Sequence, residues 1–354
     1  MKCDILIIGA GPAGLWAAKE AADFGFHVVV LEEHLAVGLT KHCSGWLLGC
    51  EFTHRFFEEL KDALPYQSVF RMTVHDPITR NIRENIEDTG WGGYLVRREF
   101  FDRELARLAI LSGAKLFLNV RAESLIRKDN QVVGAITSSH RLPEVRASVT
   151  ICADGMRSAT AKGFARSEIA SENEAEVYPG VQMELINVHD VKPGEIEMYE
   201  TEDQMLRGRS LWPHARGVTL ASFSSIDVFQ QLKSREDNLF SEKIGPSFPI
   251  YISSFQNRKN MGFFYSQLAK DGVIYVGEAS GCSGIVHGMI SAHYGVYVAK
   301  MAIQSGDTSM RTIGEYENMI KNSDIYRTPF CYRHIRSHYG SYKEWLERSK
   351  EIRV

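Results

Sequence analysis

The chain has 354 residues, of which 44% are hydrophobic and 24% charged, as in ordinary globular proteins. This length suits two or three domains, or a domain pair with a discontinuous chain path. The net charge of −3 argues against nucleic acid as the main partner. The six cysteines include no CxxC pair, which speaks against a zinc site, an iron–sulfur cluster or a disulfide framework. We therefore expect no metal, and a reducing, cytoplasmic setting.

The N-terminal residues predict a strand, a helix and a second strand in close succession. The apolar runs at 5–8 and 27–31 are typical of buried strands, and residues 15–24 have helical periodicity. Because the first residues already predict a strand, no signal peptide is expected before it. The order of elements is that of a βαβ dinucleotide-binding unit.

The turn between the first strand and the helix carries the pattern Gly9-x-Gly11-x-x-Gly14. Gly9 permits the tight turn, Gly11 lets the backbone approach a pyrophosphate, and Gly14 lets the helix pack closely on the strand. The helix N-terminus attracts the anion, and Glu32 at the end of the second strand is placed to accept bonds from ribose hydroxyls. The pattern predicts a bound dinucleotide, but by itself it leaves NAD and FAD both open.

The rest of the chain predicts a mixture of helices and strands. Residues 50–65 have helical periodicity, and an amphipathic helix is predicted over 98–112. Strands are predicted within 66–90 and at 115–120, 124–127, 131–138, 144–151 and 273–277. Alternation between about 165 and 261 predicts an antiparallel sheet. Helices are expected at about 286–304 and within the polar segment 312–354.

Two further segments favour FAD over NAD. Cys152-Ala-Asp154-Gly155 ends one apolar strand, and Gly277-Glu278-Ala-Ser-Gly281 ends another. An acid beside glycine at a strand end lets backbone and carboxylate approach ribityl and ribose hydroxyls. Asp154 has two open interpretations, direct contact with the cofactor or positioning of the backbone. With the N-terminal fingerprint, this order resembles the flavoprotein group that includes aromatic hydroxylases and geranylgeranyl reductases.

Within that group the chain is most similar to the geranylgeranyl reductase family. The resemblance rests on the Val37–Gly45 loop, the R-x-x-F-D helix start at Arg98, and GEASG with its downstream helix at Gly288. It implies FAD as cofactor and hydride transfer from reduced flavin to double bonds of an isoprenoid or similarly apolar lipid. It also implies that Arg98 approaches the FAD phosphates. The cofactor-binding residues expected from the motifs and the resemblance are Gly9, Gly11, Ala13, Gly14, Glu32, Glu33, Cys43, Ser44, Gly45, Arg98, Val120, Asp154, Gly155, Gly277, Glu278, Gly288 and Met289.

The resemblance also supplies candidates for the reaction itself. It places Cys43 beside the flavin ring, where a thiol is a candidate proton donor, although a free cysteine can equally be a small packing residue. Cys282 and His287, in the loop after GEASG, are further candidates, and His42 is a weaker one. The family's aromatic strand is shortened here to Leu211-Trp212-Pro213, and Trp212 and Pro213 are predicted to form a substrate wall.

The predicted fold is α/β, with a Rossmann-like FAD-binding domain of discontinuous chain path, an antiparallel-sheet substrate domain and a helical C-terminal segment. The expected bounds are 1–65, 92–164 and 262–305 for the first, 66–91 and 165–261 for the second, and 306–354 for the third. Segment 325–354 is basic and aromatic, which suits peripheral contact with an anionic membrane surface. No apolar run approaches the roughly 18 residues that span a bilayer, so a soluble or peripheral protein is expected.

Two other functions remain open. An FAD-dependent aromatic monooxygenase shares the three FAD motifs, whereas a halogenase would need a W-x-W-x-I-P motif that the sequence lacks. An electron-transfer flavoprotein–quinone oxidoreductase-like subunit is the second alternative, although its cluster-ligating cysteine spacing is absent here. The external electron donor, a nicotinamide nucleotide or a protein such as ferredoxin, is left open.

Overall fold

The computed structural model describes most of the first 323 residues. The described residues are 1–39, 43–75, 82–85, 92–156, 158, 160, 177–199, 209–214, 217–222, 230, 239–258 and 267–323. The chain folds into two compact units. Unit 1 comprises Met1–Leu39, Asp102–Ala175 and Asn260–Val354, and unit 2 comprises Thr40–Phe101 and Glu176–Lys259.

The strands and helices follow one another in chain order. The strands are β1 (Lys2–Ile8), β2 (Val28–Leu31), β3 (Trp46–Leu47), β4 (Tyr66–Ser68), β5 (Arg71–His75), β6 (Ile82–Asn85), β7 (Tyr94–Val96), β8 (Lys115–Phe117), β9 (Ala122–Lys128), β10 (Gln131–Thr137), β11 (Glu144–Cys152), β12 (Val177–Ile186), β13 (Glu195–Tyr199), β14 (Arg209–His214), β15 (Gly217–Ser222), β16 (Phe248–Arg258), β17 (Ala269–Lys270) and β18 (Val273–Tyr275). The helices are α1 (Pro12–Asp23), α2 (Glu51–Phe57), α3 (Arg98–Leu111), α4 (Leu239–Ile244), α5 (Ile285–Ser305), α6 (Met310–Ile313) and α7 (Glu315–Asn322).

Unit 1 is built on a sheet with parallel central strands, in the order β17-β18-β11-β1-β2-β8. The register pairs Ile8 of β1 with Leu31 of β2 on one side and with Cys152 of β11 on the other. Cys152 is in turn paired with Tyr275 of β18. The carboxyl ends of all four strands therefore lie at one edge, where open α/β sheets bind their ligands. The predicted Rossmann-like parallel sheet is confirmed.

Helix α1 covers this sheet together with α5. Pro12 begins α1 with its fixed φ, and Gly11 before it is extended, with φ −79°. The inward face of α1 carries Ala17, Ala18 and Ala21, all fully buried, whose small side chains permit close approach to neighbouring elements. No helix in the described part of the chain is long and apolar enough to cross a bilayer.

Unit 2 contains a larger sheet in the order β16-β12-β15-β14-β13-β5-β6. Its neighbouring strands are antiparallel, as predicted, except that β5 runs parallel to β13. Alternation along β12 sends Met183 and Leu185 into a core packed against α4, while Gln182 and Glu184 point to the opposite face. A second, small sheet has the order β3-β7-β4.

The unit boundaries differ from the predicted domain boundaries. Residues 40–65 and 92–101 belong to unit 2, where β7 pairs with β4 and the Cys43 carbonyl oxygen accepts a hydrogen bond from Gln182 of β12. The described part of the C-terminal segment belongs to unit 1, because α7 buries Tyr316 and Ile320 and packs on α5. Residues 324–354, which include the segment predicted to contact a membrane, lie outside the described residues.

A buried charge cluster joins the core face of the unit 2 sheet to α4. Lys243 Nζ donates to Glu197 Oε1 at 2.7 Å, and Tyr199 Oη donates to Oε2 at 2.5 Å. His75 Nε2 lies 2.9 Å from the same Oε2, and its ring stacks on that of Tyr199. Burial of Glu197 acts to raise the pKa of its carboxyl, but the hydrogen bonds from His75, Lys243 and Tyr199 outweigh it and hold that pKa at about 2.

This cluster predicts an acid-sensitive contribution to stability. Because the pKa of Glu197 is depressed from 4.5 to about 2, the stabilisation is fully present above pH 4.5 and is lost as the pH falls towards 2. We expect Glu197→Gln to lower the free energy of unfolding by about 3 kcal/mol at pH 7 and by clearly less at pH 3. Urea unfolding at both pH values measures the difference. As a control, Glu242→Gln at an exposed neighbouring position should change the free energy of unfolding by less than about 0.5 kcal/mol. An equal loss at both pH values for Glu197→Gln would contradict this account.

Candidate functional site

In the glycine turn after β1, the packing of the protein itself requires glycine at positions 9 and 14 but not at position 11. Gly9 has φ +100°, and a Cβ there would lie 2.4 Å from the carbonyl oxygen of Ala153. A Cβ at Gly14 would lie 2.0 Å from the carbonyl oxygen of Gly9. At Gly11, in contrast, a Cβ would meet no described atom within 4 Å, its chain neighbours apart. The missing side chain of Gly11 thus leaves open space at the N-terminus of α1, which fits a dinucleotide pyrophosphate.

The Glu32 carboxylate is fixed by backbone donors on both oxygens. Ala10 N–H donates to Oε2 at 2.8 Å, and His34 N–H donates to Oε1 at 2.9 Å. His34 Nδ1 also lies 2.5 Å from Oε1. Since an ionised carboxylate has about four acceptor positions, this buried group can still accept ribose hydroxyls. Glu33 is more exposed, and its carboxylate lies 3.9 Å from His34 Nε2.

Gly277 of the GEASG segment and Gly288 of α5 lie close to Ala13 of α1. A Cβ at Gly277, which has φ +60°, would lie 3.0 Å from the Cβ of Ala13. A Cβ at Gly288 would lie 3.5 Å from the Cα of Gly277 and 3.7 Å from the Cβ of Ala13. A Cβ at Gly155 would lie 4.0 Å from the Glu278 carboxylate, so the acid of one motif lies beside the glycine of the other. The donor and acceptor set of unit 1 therefore fits FAD.

Asp154 makes its hydrogen bonds within its own loop. Ser158 Oγ donates to Oδ1 at 2.7 Å, and Thr160 Oγ1 donates to Oδ2 at 2.9 Å. Burial raises the pKa of this carboxyl, and these hydrogen bonds oppose that rise. Of the two roles that the sequence left open, this geometry supports positioning of the loop.

Val120 and Met289, also predicted at the cofactor, are core residues. Val120 is 8% exposed, and its N–H donates to the carbonyl oxygen of Glu32 at 2.8 Å. Met289 is fully buried in the first turns of α5. Val120 therefore supports the end of β2 through its backbone hydrogen bond, and Met289 supports α5 through packing.

Cys282 and His287 are buried and uncharged at neutral pH. Burial, with a further contribution from the Glu278 charge, raises the pKa of the Cys282 thiol well above its usual range. Burial lowers the pKa of His287 to about 4, against an opposing hydrogen bond with the backbone of Ser283. A neutral, enclosed thiol and imidazole are typical of packing residues.

Cys43 lines an open pocket whose described lining residues all belong to unit 2. Gln182 Nε2 donates to the Cys43 carbonyl oxygen at 3.0 Å and so fixes the loop backbone. Gly45 has φ +79°, and a Cβ there would lie 1.9 Å from the carbonyl oxygen of Val96, so only glycine fits. The lining residues are Cys43, Ser44, Pro65, Tyr66, Leu95, Val96, Arg97, Arg98, Glu99, Gln182, Glu184, His214, Thr219 and Tyr251.

The polar wall of this pocket is organised around Arg97. Its Nη1 lies 2.6 Å from Glu184 Oε1, while its Nη2 donates to Glu184 Oε2 at 2.9 Å and to Glu99 Oε1 at 2.6 Å. Burial, followed by the Arg97 charge, lowers the pKa of His214 to about 4, although Glu99 opposes the shift. His214 is therefore a neutral imidazole at pH 7.

The sequence interpretation missed most of these polar residues. Gln182 and Glu184 alternate with apolar residues on β12. This pattern predicts a polar face but not its proximity to Arg97, which is 87 residues away from Glu184 in the chain.

Trp212 and Pro213, which were predicted to form a substrate wall, are buried, and the next residue, His214, lines the pocket instead. Trp212 packs on Trp46 at a centroid distance of 5.3 Å and donates to Ser210 Oγ at 2.7 Å. The weaker candidate at position 42 lies outside the described residues.

Comparison with known proteins supports an FAD-dependent activity. The chain is similar to the digeranylgeranylglycerophospholipid reductase 1 of Methanosphaera stadtmanae, with 26% identity over 328 residues that cover 89% of this chain and 79% of that protein. The predicted resemblance to geranylgeranyl reductases is confirmed, as a similarity of sequence, by this relative.

Solved structures match over the whole chain. A geranylgeranyl bacteriochlorophyll reductase-like protein from Thermoplasma acidophilum has a TM-score of 0.80 and 22% identity, covering 100% of this chain and 88% of the other. The flavin-dependent brominase Bmp2 has a TM-score of 0.74 and 15% identity, covering 100% and 92%. At these levels of identity, both structures show a similarity of fold alone. The model of the FAD dependent oxidoreductase family matches residues 4–240, more than half of the chain, and the protein therefore belongs to that family.

Proposed function

We propose that this FAD-dependent oxidoreductase reduces carbon–carbon double bonds of an isoprenoid, geranylgeranyl-type or similarly apolar substrate. The observation that carries the proposal is the similarity to a digeranylgeranylglycerophospholipid reductase over 89% of the chain. The geometry of unit 1, which fits FAD, and the pocket lined by Cys43 support it further.

The residues of unit 1 bind and orient the cofactor. Gly11 leaves room for the pyrophosphate at the N-terminus of α1, where N–H groups and the helix dipole attract it. Glu32 accepts ribose hydroxyls, and Glu278 accepts hydroxyls of the ribityl chain. When bound, the reduced flavin supplies a hydride from N5 to one carbon of the double bond.

The second carbon of the double bond needs a proton. An unactivated alkene has no carbonyl to polarise, so the proton donor must lie close to the developing cation. Cys43 is the proposed donor, because it lines the pocket and its backbone is held by Gln182. The Cys43 thiol would give its proton to that carbon, and solvent would return a proton to the sulfur after product release.

Anaerobic single turnover tests the proposal without a natural electron donor. Dithionite-reduced holoprotein is mixed with a digeranylgeranylglycerol phospholipid, and the lipid is analysed by mass spectrometry. We expect flavin oxidation at a rate that depends on substrate concentration, with two hydrogens added per reduced bond. Oxidised holoprotein serves as the control.

Two other results would overturn the proposal in favour of a different flavoenzyme. Substrate-dependent oxygen consumption with a hydroxylated product identifies a monooxygenase. Rapid oxidation by a quinone, without any change in the lipid, identifies an electron-transfer protein.

A further inference from the structure

The Glu32 carboxylate has three donors around it, two of which belong to His34. Its Oε2 accepts the Ala10 N–H at 2.8 Å, and its Oε1 accepts the His34 N–H at 2.9 Å. His34 Nδ1 lies 2.5 Å from the same Oε1. Because an ionised carboxylate only accepts hydrogen bonds, the ring nitrogen is the donor in this contact.

These contacts use most of the acceptor capacity of Glu32. An ionised carboxylate has about four acceptor positions, shared equally by its two oxygens. The backbone and the ring of His34 occupy both positions on Oε1, and Ala10 occupies one on Oε2. A single position on Oε2 remains, whereas the ribose of the adenosine half of FAD carries two neighbouring hydroxyls. While the His34 ring stays in place, Glu32 can therefore accept only one of them.

The two side chains differ in their freedom to move. The Glu32 side chain is 10% exposed and that of His34 is 36% exposed. The backbone donors fix the carboxylate from positions set by the sheet, because Ala10 follows β1 and His34 follows β2. The imidazole contacts Glu32 Oε1 and, at 3.9 Å, the exposed Glu33 carboxylate. The ring, rather than the carboxylate, thus controls whether Oε1 is open to a ligand.

We propose that His34 determines how the ribose of FAD binds, because its imidazole keeps one acceptor position of Glu32 and leaves that carboxylate able to bind a single ribose hydroxyl. His34 acts through Glu32 and is a positioning residue of the cofactor site. The inference rests on the part of the proposed function that places the ribose at Glu32, and it narrows that contact to one hydroxyl. It holds for any substrate of the enzyme, since it concerns only the adenosine half of FAD.

Calorimetric titration of the deflavinated full-length protein tests the role of His34. The probes are FAD and two analogues that lack either the 2′- or the 3′-hydroxyl of the adenosine ribose. We expect one analogue to bind at least about tenfold more weakly than FAD, because it loses a hydrogen bond to a charged acceptor. The other should bind within about threefold of FAD, since Glu32 has no acceptor position for the hydroxyl that this analogue lacks.

Three variants assign this pattern to the His34 ring. His34→Ala opens the second position on Oε1, so both analogues should then bind at least about tenfold more weakly than FAD. His34→Asn is the conservative variant, because its amide places an N–H at the same position along the side chain, and it should keep the wild-type pattern. His27→Ala is the matched control and should also keep it, since His27 is exposed and lies at the opposite end of β2.

The outcomes separate the role of His34 from the placement of the ribose. Equal losses for both analogues in the wild type, or a one-sided loss that persists in His34→Ala, would overturn the role of His34. Full affinity for both analogues in the wild type would remove the ribose from Glu32, and the inference with it. None of these results depends on double-bond reduction, so they are read apart from the test of the proposed reaction. Should a variant fail to fold, the wild-type series still decides.

Discussion

Gly11→Ala is expected to give a stably folded protein that no longer retains FAD. The backbone at Gly11 has φ −79°, and a Cβ there would meet no described atom within 4 Å beyond its chain neighbours. The apoprotein should therefore unfold within about 0.5 kcal/mol of the wild-type free energy. The methyl group would occupy the space where the pyrophosphate approaches the helix N-terminus, so we expect the Kd for FAD to rise at least about 100-fold. Flavin absorbance per protein after gel filtration, and calorimetry of the apoprotein, measure both quantities.

Gly14→Ala is the matched comparison. Its Cβ would lie 2.0 Å from the Gly9 carbonyl oxygen, a clash within the protein itself. This variant should lose about 1–3 kcal/mol or more of unfolding free energy even without cofactor. Should Gly11→Ala bind FAD as tightly as wild type, the pyrophosphate does not lie at Gly11. Should both variants lose equal stability, the distinction between the two glycines is wrong.

Cys43→Ser is expected to retain its yellow flavin and to lose most alkene reduction. Serine is nearly isosteric with cysteine, but its hydroxyl is a far weaker acid than a thiol. If Cys43 gives the proton to carbon, single-turnover reduction should slow by about 100-fold or more. Stopped-flow flavin oxidation under anaerobic conditions measures the rate, and the visible spectrum reports whether the cofactor is still bound.

Two further cysteine variants control for general effects of sulfur removal. Cys282→Ser alters a buried thiol of unit 1, and Cys3→Ser alters a partly exposed one on β1. Both should keep bound flavin and the wild-type reduction rate. A wild-type rate for Cys43→Ser would show that its thiol is not the proton donor, and a lost rate for Cys282→Ser would move that role to the loop after GEASG.

Local signals in the sequence were sufficient to predict the nucleotide-binding unit. The predicted strands at 5–8 and 27–31 correspond to β1 and β2, and the helix at 15–24 corresponds to α1, because apolar runs and Gly9, Gly11 and Gly14 act within a few residues. The predicted helix 98–112 is α3, which ends just before Gly113 with φ +112°. The strand predicted at 115–120 stops at Phe117, because Asn119 adopts a left-handed conformation with φ +56°.

Pairing between distant segments could not be predicted in the same way. The sequence places residues 40–65 in the cofactor domain, but the Cys43 carbonyl oxygen accepts a hydrogen bond from Gln182 of β12, and no local pattern indicates that partner. The polar wall of the pocket has the same origin, because Arg97 precedes α3 and Glu184 lies on β12. Neither Arg97 nor Glu184 is unusual for its own segment. The two form a buried ion pair only after the sheet has formed.

The contact among Ala13, Gly277 and Gly288 affects how the protein matures during synthesis. Helix α1 is synthesised well before the residues that complete its surroundings, which belong to the GEASG turn and α5. The face of α1 that packs on α5 therefore stays uncovered until α5 has been translated. At about 5–20 residues per second this interval lasts tens of seconds or less. We therefore expect FAD insertion to follow the synthesis of α5, and nascent chains that stop before Gly277 to accumulate without cofactor.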